Sequence, residues 1–167
     1  SKNITVELTE NLSKRNIPII SGMAKGIDSF AHIGCMTAGG KTIAVLGSGF
    51  NYIYPKENLE IFKEIIKTGG TIVTEFEPNT KPIGSNFPLR NRIISGLSDG
   101  VIVIEARKQS GTLITVDYAL DQGKEIFAVP GNINNSSSYG TNQMIKEGAK
   151  IVTCLEDILE EYPHVFR

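Results

Sequence analysis

The stretch "GVIVIEARKQSGTLITVDYAL", residues 100–120, decides the fold of this 167-residue chain. Residues 100–106 form a continuous apolar run rich in β-branched side chains, which predicts a strand buried on both faces. A polar, glycine-containing turn follows, and the next residues repeat at helical spacing. The apolar residues on that helical face are Leu113, Val116, Ala119 and Leu120. A strand, a turn and a helix in this order are the unit of a parallel sheet covered by helices.

The same unit recurs along the chain. Apolar runs bounded by glycine or proline predict further strands at residues 17–21, 42–47, 71–75, 125–131 and 149–153. Their alternation with helical patterns predicts an α/β fold, a Rossmann-like, doubly wound and mainly parallel sheet with helices on both faces. We expect residues 1–167 to form a single domain. The low-complexity stretch at residues 132–140 predicts a mobile loop.

Composition limits the possible functions. The net charge is −1 and 21% of residues are charged, so any anion site must be a local patch rather than a global basic field. Cys35 and Cys154 lack metal-like spacing and indicate reduced thiols in a cytoplasmic protein. No apolar run is long enough for a bilayer, and we expect no secretory signal before the first helix. The sequence carries no metal-protease or P-loop motif, so we expect no metal and no cofactor.

Glycine-rich turns follow four of the predicted strands, and we expect them to crowd one edge of the sheet, where ligands bind. Lys25 lies in the first turn and Ser48 in the second, "LGSGFNY". That second turn has Tyr52 where a dinucleotide fingerprint needs its third glycine, so we expect no nicotinamide or flavin. In "QSGTLIT", Ser110 can cap a helix while Gly111 and Thr112 present backbone N–H groups, which suits an anion site or a plain N-cap.

Two pairs of ionisable residues have both a catalytic and a structural interpretation. Asp28 and His32 lie four residues apart on one helical face. They suit an acid–base pair, but no nucleophile accompanies them, so we favour Asp28 as a helix cap with His32 packed beside it. Glu75 and Glu77 likewise suit an acid–base pair, and we favour solvated loop carboxylates. No catalytic residue is therefore predicted.

The stretch "FPLRNRIISGLSDG", residues 87–100, places Arg90, Asn91 and Arg92 in the first turn of a helix. Cations there oppose the helix dipole, which indicates a reason for their presence. Guanidinium groups match phosphate oxygens, and Phe87 adds an aromatic face, a combination suited to single-stranded nucleic acid. The alternative is that Arg92 pairs with an acid, Asp99 or Glu105, and stiffens the core.

Five blocks then match a known family in order: "SGMAKGIDSFAH", "TIAVLGSGFNYIYPKEN", "FPLRNRIISGLSDGVIVIEA", "SGTLITVDYALDQGKEIFAVPG" and "MIKEGAKIVT". Together they resemble the DprA/Smf family of DNA-processing proteins across nearly the whole chain. The resemblance implies a cytoplasmic, Rossmann-like domain that binds and protects incoming single-stranded DNA, dimerises and loads the RecA recombinase in natural transformation, without catalysis. The residues predicted to bind DNA are Lys25, Ser48, Lys81, Phe87, Arg90, Asn91, Arg92, Ser110, Gly111 and Thr112.

The resemblance has two departures. Relatives usually begin this domain with a strand and a Gly-Ser-Arg turn, and some end in a winged helix; we expect this chain to lack both. Some relatives also carry a lysine three places before the motif phenylalanine. That place is Gly84 here, which leaves two alternatives: weaker contact with DNA, or substitution by the nearest lysine, Lys81, in a flexible loop.

Residues 142–159, "NQMIKEGAKIVTCLEDIL", carry more apolar surface than one edge element needs. With the resemblance, this predicts a symmetric homodimer interface that includes Asn142, Met144, Ile145 and Ile151. Ile151 suits a core strand position equally well.

An enzymatic alternative remains. The glycine-rich strand ends and the "SGT" helix start are similar to LOG-type nucleotide-monophosphate phosphoribohydrolases. Those enzymes carry a double glycine in this block and an acid after it, whereas this chain has "RKQSGTLITVDYA" with Asp117 near the acid position.

Overall fold

The computed structural model describes residues 1–165 of the chain, in two compact units, residues 1–94 and 95–165. Each unit contains one three-stranded parallel sheet. The predicted α/β, Rossmann-like fold with parallel strands flanked by helices is confirmed.

The first unit alternates helices and strands, and its sheet has the order β1-β2-β3. Its elements are α1 (Lys2–Lys14), β1 (Ile19–Ser21), α2 (Ile27–Thr37), β2 (Thr42–Val45), α3 (Leu59–Lys67), β3 (Thr71–Val73) and the start of α4 (Asn86–Leu97). A 3-10 turn at Lys56–Asn58 leads into α3. Met23, Ala44, Leu46 and Ile65 form a buried core under these helices.

The second unit has a sheet with the order β4-β5-β6, so β6 is the last strand in that order. Its elements are β4 (Gly100–Val103), α5 (Thr112–Asp121), β5 (Glu125–Ala128), a 3-10 turn (Ser136–Ser138), α6 (Tyr139–Lys146), β6 (Lys150–Ile151) and α7 (Glu156–Leu159). Its core lies between this sheet and helices α5 and α6, where Val103, Val116, Ile126 and Met144 are buried together.

All six predicted strands form, but each is shorter than its apolar run. The run at residues 42–47, for example, ends as a strand at Val45, and the chain bends from Gly47 onward. The prediction of a loop over residues 132–140 is wrong for the second half of that range. There the Asn135 side chain accepts a hydrogen bond from the Ser137 N–H at 3.0 Å and starts the 3-10 turn that leads into α6.

None of the helices in residues 1–165 combines the length and the apolar character needed to cross a membrane.

Candidate nucleic-acid interface

Arg90 fastens the start of α4 to the carboxyl ends of two neighbouring strands. Its Nη1 donates hydrogen bonds of 2.6 Å to the carbonyl oxygens of Gly22, just after β1, and of Val45, the last residue of β2. Asn86, one turn earlier, donates from Nδ2 to the Gly47 carbonyl at 3.0 Å. These bonds satisfy carbonyls that the parallel sheet leaves unpaired at its edge.

The burial of Arg90 corrects the idea that its guanidinium is presented to a ligand. The residue is only 5% exposed. Burial lowers the pKa of Arg90, and the carboxylate of Asp28 acts in the opposite direction. Asn91 accepts a 3.1 Å hydrogen bond from Arg90 Nε through its Oδ1, so it orients the same guanidinium. A structural role therefore accounts for Arg90, and contact with DNA stays a prediction for Asn91.

Asp28 shapes the turn after β1. Its Oδ2 accepts hydrogen bonds from the N–H groups of Gly22 and Ala24, both at 3.1 Å. It does not cap its own helix, whose N-cap is Gly26, so the predicted capping role is wrong. Asp28 is instead drawn into the preceding turn, where it also faces Arg90.

His32 is a buried structural residue, as the favoured interpretation holds. Its Nδ1 lies 2.7 Å from Thr42 Oγ1, and that hydroxyl donates to the Ile19 carbonyl at 2.8 Å. Because the hydroxyl proton is used there, Nδ1 must carry a proton and donate it to Thr42. Nε2 has no hydrogen-bond partner within the described chain. Burial lowers the pKa of His32 to about 4, so the ring is neutral near pH 7.

An aromatic pair lies at the same edge of the first unit. The rings of Phe87 and Tyr54 have centroids 5.4 Å apart, and the Arg90 guanidinium carbon lies 5.5 Å from the Phe87 centroid. Phe87 also covers the backbone of Gly47, where an added Cβ would be 2.7 Å from a ring carbon. Phe87 is partly buried, whereas Tyr54 is 49% exposed. We call Phe87, Tyr54 and Phe50, which is 47% exposed in the adjacent turn, the aromatic edge.

The turn after β2 is held rigidly, which corrects the role predicted for Ser48. The Ser48 hydroxyl is buried and donates to the Tyr52 carbonyl at 2.7 Å, while Thr74 donates to the Ser48 carbonyl at 2.7 Å. Gly49 faces the segment after β3, where an added Cβ would lie 2.0 Å from the Glu77 carbonyl. The hydroxyl predicted to contact DNA therefore points into the fold and supports the turn that carries Phe50.

The first unit also carries the predicted cations. Lys25 pairs with Glu57, and both side chains are 64% exposed. The hydrogen bond to Glu57 raises the pKa of Lys25, and the same bond lowers the pKa of the Glu57 carboxyl. Lys81 is exposed. Arg92 forms an ion pair with Glu75.

The N-cap of α5, in the second unit, is Gly111 rather than the predicted Ser110, and no side chain caps the helix. The Ser110 Oγ accepts a 3.2 Å hydrogen bond from the Thr112 N–H and lies 3.0 Å from the Thr112 hydroxyl. Gly111 is exposed. Anion binding by these three residues stays a prediction. The structure thus brings Lys25, Ser48, Phe87 and Arg90 together in the first unit, whereas residues 110–112 belong to the second.

The residues predicted at a dimer interface differ in exposure. Met144 is buried in the second unit's core, which corrects its assignment to a surface, and Ile145 packs against that core. Asn142 binds the backbone of Gly131, at 3.1 Å to its N–H and 2.9 Å to its carbonyl. Ile151 is 42% exposed on β6, so the alternative that it is a core residue is wrong.

Sequence reasoning missed three supporting residues. Tyr54 pairs with Phe87, and Glu57 pairs with Lys25. Asn58 is buried and its Nδ2 donates to the Met23 carbonyl at 2.7 Å, which fixes the turn that carries Lys25. All three lie in the quoted block "GFNYIYPKEN", which was the available signal.

No cluster of three or more potential metal ligands occurs among residues 1–165. Parallel strands whose carboxyl ends carry glycine-containing turns and a helix start define a Rossmann-like α/β protein, a class that binds ligands at this edge. A family model described as DNA recombination-mediator protein A matches residues 1–163, and the chain belongs to this family.

Individual relatives agree with this assignment. Protein Smf of Escherichia coli strain K12 is 48% identical over 151 residues, which is 90% of this chain and 40% of the relative. The DNA processing protein DprA of Bacillus subtilis strain 168 is 44% identical over 162 residues, 97% of this chain and 54% of that protein. A solved structure of DNA processing protein A from Helicobacter pylori superposes with a TM-score of 0.88 at 29% identity, and the match covers 99% of this chain and 75% of that one. The chain thus spans about half the length of the two curated relatives.

Proposed function

We propose that this chain binds single-stranded DNA through the aromatic edge of its first unit. The observation that carries the proposal is the pairing of the exposed Tyr54 ring with the partly buried Phe87 ring, at the carboxyl ends of the strands. The DNA processing protein A of H. pylori, which shares this fold, has a single-stranded DNA binding mode.

The chemistry of the edge fits an unpaired strand. Exposed bases stack on aromatic rings regardless of sequence, and Phe50 and Tyr54 offer such faces beside Phe87. Lys25 and Lys81 can follow the phosphates around them, and Arg92 can exchange its carboxylate partner for a phosphate oxygen. The net charge of −1 supplies no long basic stripe of the kind that holds a duplex.

Preference for a single strand is the first test. We expect a fluorescent oligonucleotide to bind more tightly, by anisotropy, than the same oligonucleotide annealed to its complement. Tyr54→Leu should weaken the binding of the single strand by about 5-fold or more, because one stacked base is lost. Tyr118→Leu, on α5 of the second unit, is the matched control. Equal or tighter binding of the duplex would contradict the proposal.

We further propose that the bound strand is handed to the RecA recombinase by a homodimer, in the cytoplasm, during natural transformation. The family's description as a recombination mediator supports this step. The exposed Ile151 on an edge strand supports the dimer. RecA filament assembly on a strand coated with single-strand-binding protein should be faster with this protein present. An unchanged assembly rate would reject the loading step.

We also propose that the domain acts by binding alone, as one DNA-binding domain over residues 1–167, and needs neither catalysis nor cofactor. Incubation with nucleoside monophosphates should release no free base. If the unaltered protein released base faster than the double variant Ser110→Ala, Thr112→Ala, the result would instead favour the phosphoribohydrolase alternative.

A further inference from the structure

The second unit carries a basic and aromatic depression of its own, separate in sequence from the aromatic edge. It is open, has a volume of about 460 Å³, and is lined by Arg107, Lys108, Gln109, Ser136 and Tyr139. We call it the Tyr139 depression. Among the described residues that line it there are two cations and no carboxylate. Such a surface attracts an anionic partner.

The aromatic ring in the depression is available for stacking. Tyr139 is 50% exposed, although it is the first residue of α6 and its neighbour Gly140 is buried. Lys108 Nζ lies 5.8 Å from the centroid of the ring, a cation–π geometry that holds a positive charge beside the aromatic face. An aromatic face beside a cation is the arrangement that binds a base and its phosphate together.

The two segments that form the depression are locked together. The Ala106 N–H donates to the Ser137 carbonyl at 2.8 Å, and the Gly140 N–H donates to the Ala106 carbonyl at 2.7 Å. An added Cβ at Gly140 would lie 2.7 Å from the Ala106 Cβ, so the close approach requires glycine. The cations after β4 and the ring at the start of α6 therefore keep a fixed spacing, and little conformational entropy is lost when a ligand binds.

We propose that the Tyr139 depression is a second contact for single-stranded nucleic acid, in which one base stacks on Tyr139 and Arg107 and Lys108 hold the adjacent phosphates. The proposal rests on the proposed function, because the ligand is the same strand. An acidic peptide is the other ligand that two cations attract. The exposed ring favours the nucleic acid, since a carboxylate side chain gains nothing from a stacking face.

Two sets of variants test the contact by anisotropy with a single-stranded thymidine oligonucleotide. The double variant Arg107→Gln, Lys108→Gln should reduce the slope of log affinity against log salt by about 1.4, at about 0.7 for each phosphate contact on a single strand. Tyr139→Leu should weaken binding by about 5-fold or more, and Tyr139→Phe should bind as the unaltered protein does. Lys14→Gln, at the exposed end of α1, is the control for lost charge.

A direct readout separates this inference from the proposed function. The unaltered protein is irradiated with the same oligonucleotide carrying iodinated uridines, and the attached peptides are identified by mass spectrometry. Attachment to Tyr139 that disappears in the Arg107→Gln, Lys108→Gln variant supports the second contact. Binding of the strand with unchanged slopes and no attachment at Tyr139 overturns the second contact and leaves the proposed function standing. Absence of binding by the unaltered protein overturns both. If a poly-glutamate peptide occupies the depression at Tyr139 and the oligonucleotide does not, the depression is a protein-docking surface and the inference is also overturned.

Discussion

Arg90 and Arg92 lie two positions apart on α4 but have opposite surroundings. Arg90 is buried and donates to two strand-end carbonyls, whereas the Arg92 side chain is 41% exposed and pairs with Glu75. Because both arginines carry the same charge and lie in one motif, the sequence alone could not distinguish their roles. The structure assigns the first to the fold and leaves the second at the surface, where an exposed ion pair is easily exchanged.

The two arginines should therefore separate stability from binding. Arg90→Gln should lower the free energy of unfolding by about 2 kcal/mol or more, because buried carbonyls lose a charged donor. Arg92→Gln should cost less than about 1 kcal/mol of stability, as for other exposed ion pairs. It should also reduce the salt slope of strand binding by about 0.7. Urea unfolding and anisotropy titrations measure the two quantities. Equal loss of stability in both variants would show that the burial of Arg90 does not matter energetically.

His32 gives the first unit a pH dependence whose sign follows from its lowered pKa. The ordinary pKa of 6.5 falls to about 4 in the fold. Between these values the unfolded chain binds a proton that the folded chain lacks, so protonation favours unfolding. The stability that neutral His32 confers is complete above pH 6.5 and is lost as the pH falls toward 4.

This dependence can be isolated by substitution. The free energy of unfolding should fall with pH between 6.5 and 4, by up to about 1.4 kcal/mol per pH unit from this residue. His32→Asn, which retains a side-chain N–H donor but does not titrate, should have a shallower slope over this range. His164→Asn, at an exposed position, is the control and should keep the full slope. Identical slopes in His32→Asn and the unaltered protein would assign the dependence to other groups.

Residue roles were harder to predict than residue positions. The sequence placed Ser48 correctly in a strand-end turn, but it could not show that the hydroxyl turns inward to the Tyr52 carbonyl. Neither could it pair Arg92 with Glu75, because the two are 17 positions apart and meet only after the β3–α4 segment folds back. Side-chain direction and long-range ion pairs depend on tertiary packing, which periodicity does not record.

At the scale of elements, α1 and α2 pack closely in the first unit through a glycine. An added Cβ at Gly34 would lie 2.1 Å from Thr9 Oγ1 and 2.7 Å from the Val6 carbonyl. The Thr9 hydroxyl also donates to the Thr5 carbonyl at 2.8 Å, so it has little freedom to move. Only a residue without a side chain allows the two helices to approach this closely.

Glycine-to-alanine changes in two helices should therefore have opposite effects. Gly34→Ala should destabilise the protein by about 1–3 kcal/mol, because α1 must shift away from α2. Gly96→Ala on α4 is the matched control, since a Cβ there would lie 3.6 Å from Gln122 Nε2, an ordinary van der Waals contact. That change should stabilise the protein by up to about 1 kcal/mol through helix propensity. Thermal unfolding compares them, and a stabilised Gly34→Ala would refute the close packing.

The elements themselves were the most predictable level. Continuous β-branched runs bounded by glycine marked each strand, because a strand buried on both faces needs this composition. The start of α6 was missed because "SSSYG" is typical of a loop. The start of α6 is ordered by the Asn135 cap and by the hydrogen bond from the Gly140 N–H to the Ala106 carbonyl, 34 positions away in the chain.

At the scale of the whole molecule, the open question is how copies associate. β6 is the last strand in its sheet order and carries Ile151, which is 42% exposed. The next residue, Val152, is only 4% exposed. Ile151 therefore faces solvent and Val152 faces the core. Substitutions at these two neighbouring positions can separate the association of copies from folding.

Ile151→Glu should give a folded monomer. In a two-fold interface each substitution appears twice, so two carboxylates would be brought together and the dimer would dissociate. The monomer should still bind single-stranded DNA, but more weakly, because two linked sites no longer act on one strand. Val152→Glu is the contrasting variant and should unfold, since it buries an unpaired charge. Light scattering measures the mass and circular dichroism the fold. A folded Ile151→Glu protein that remains dimeric would place the interface elsewhere on the molecule.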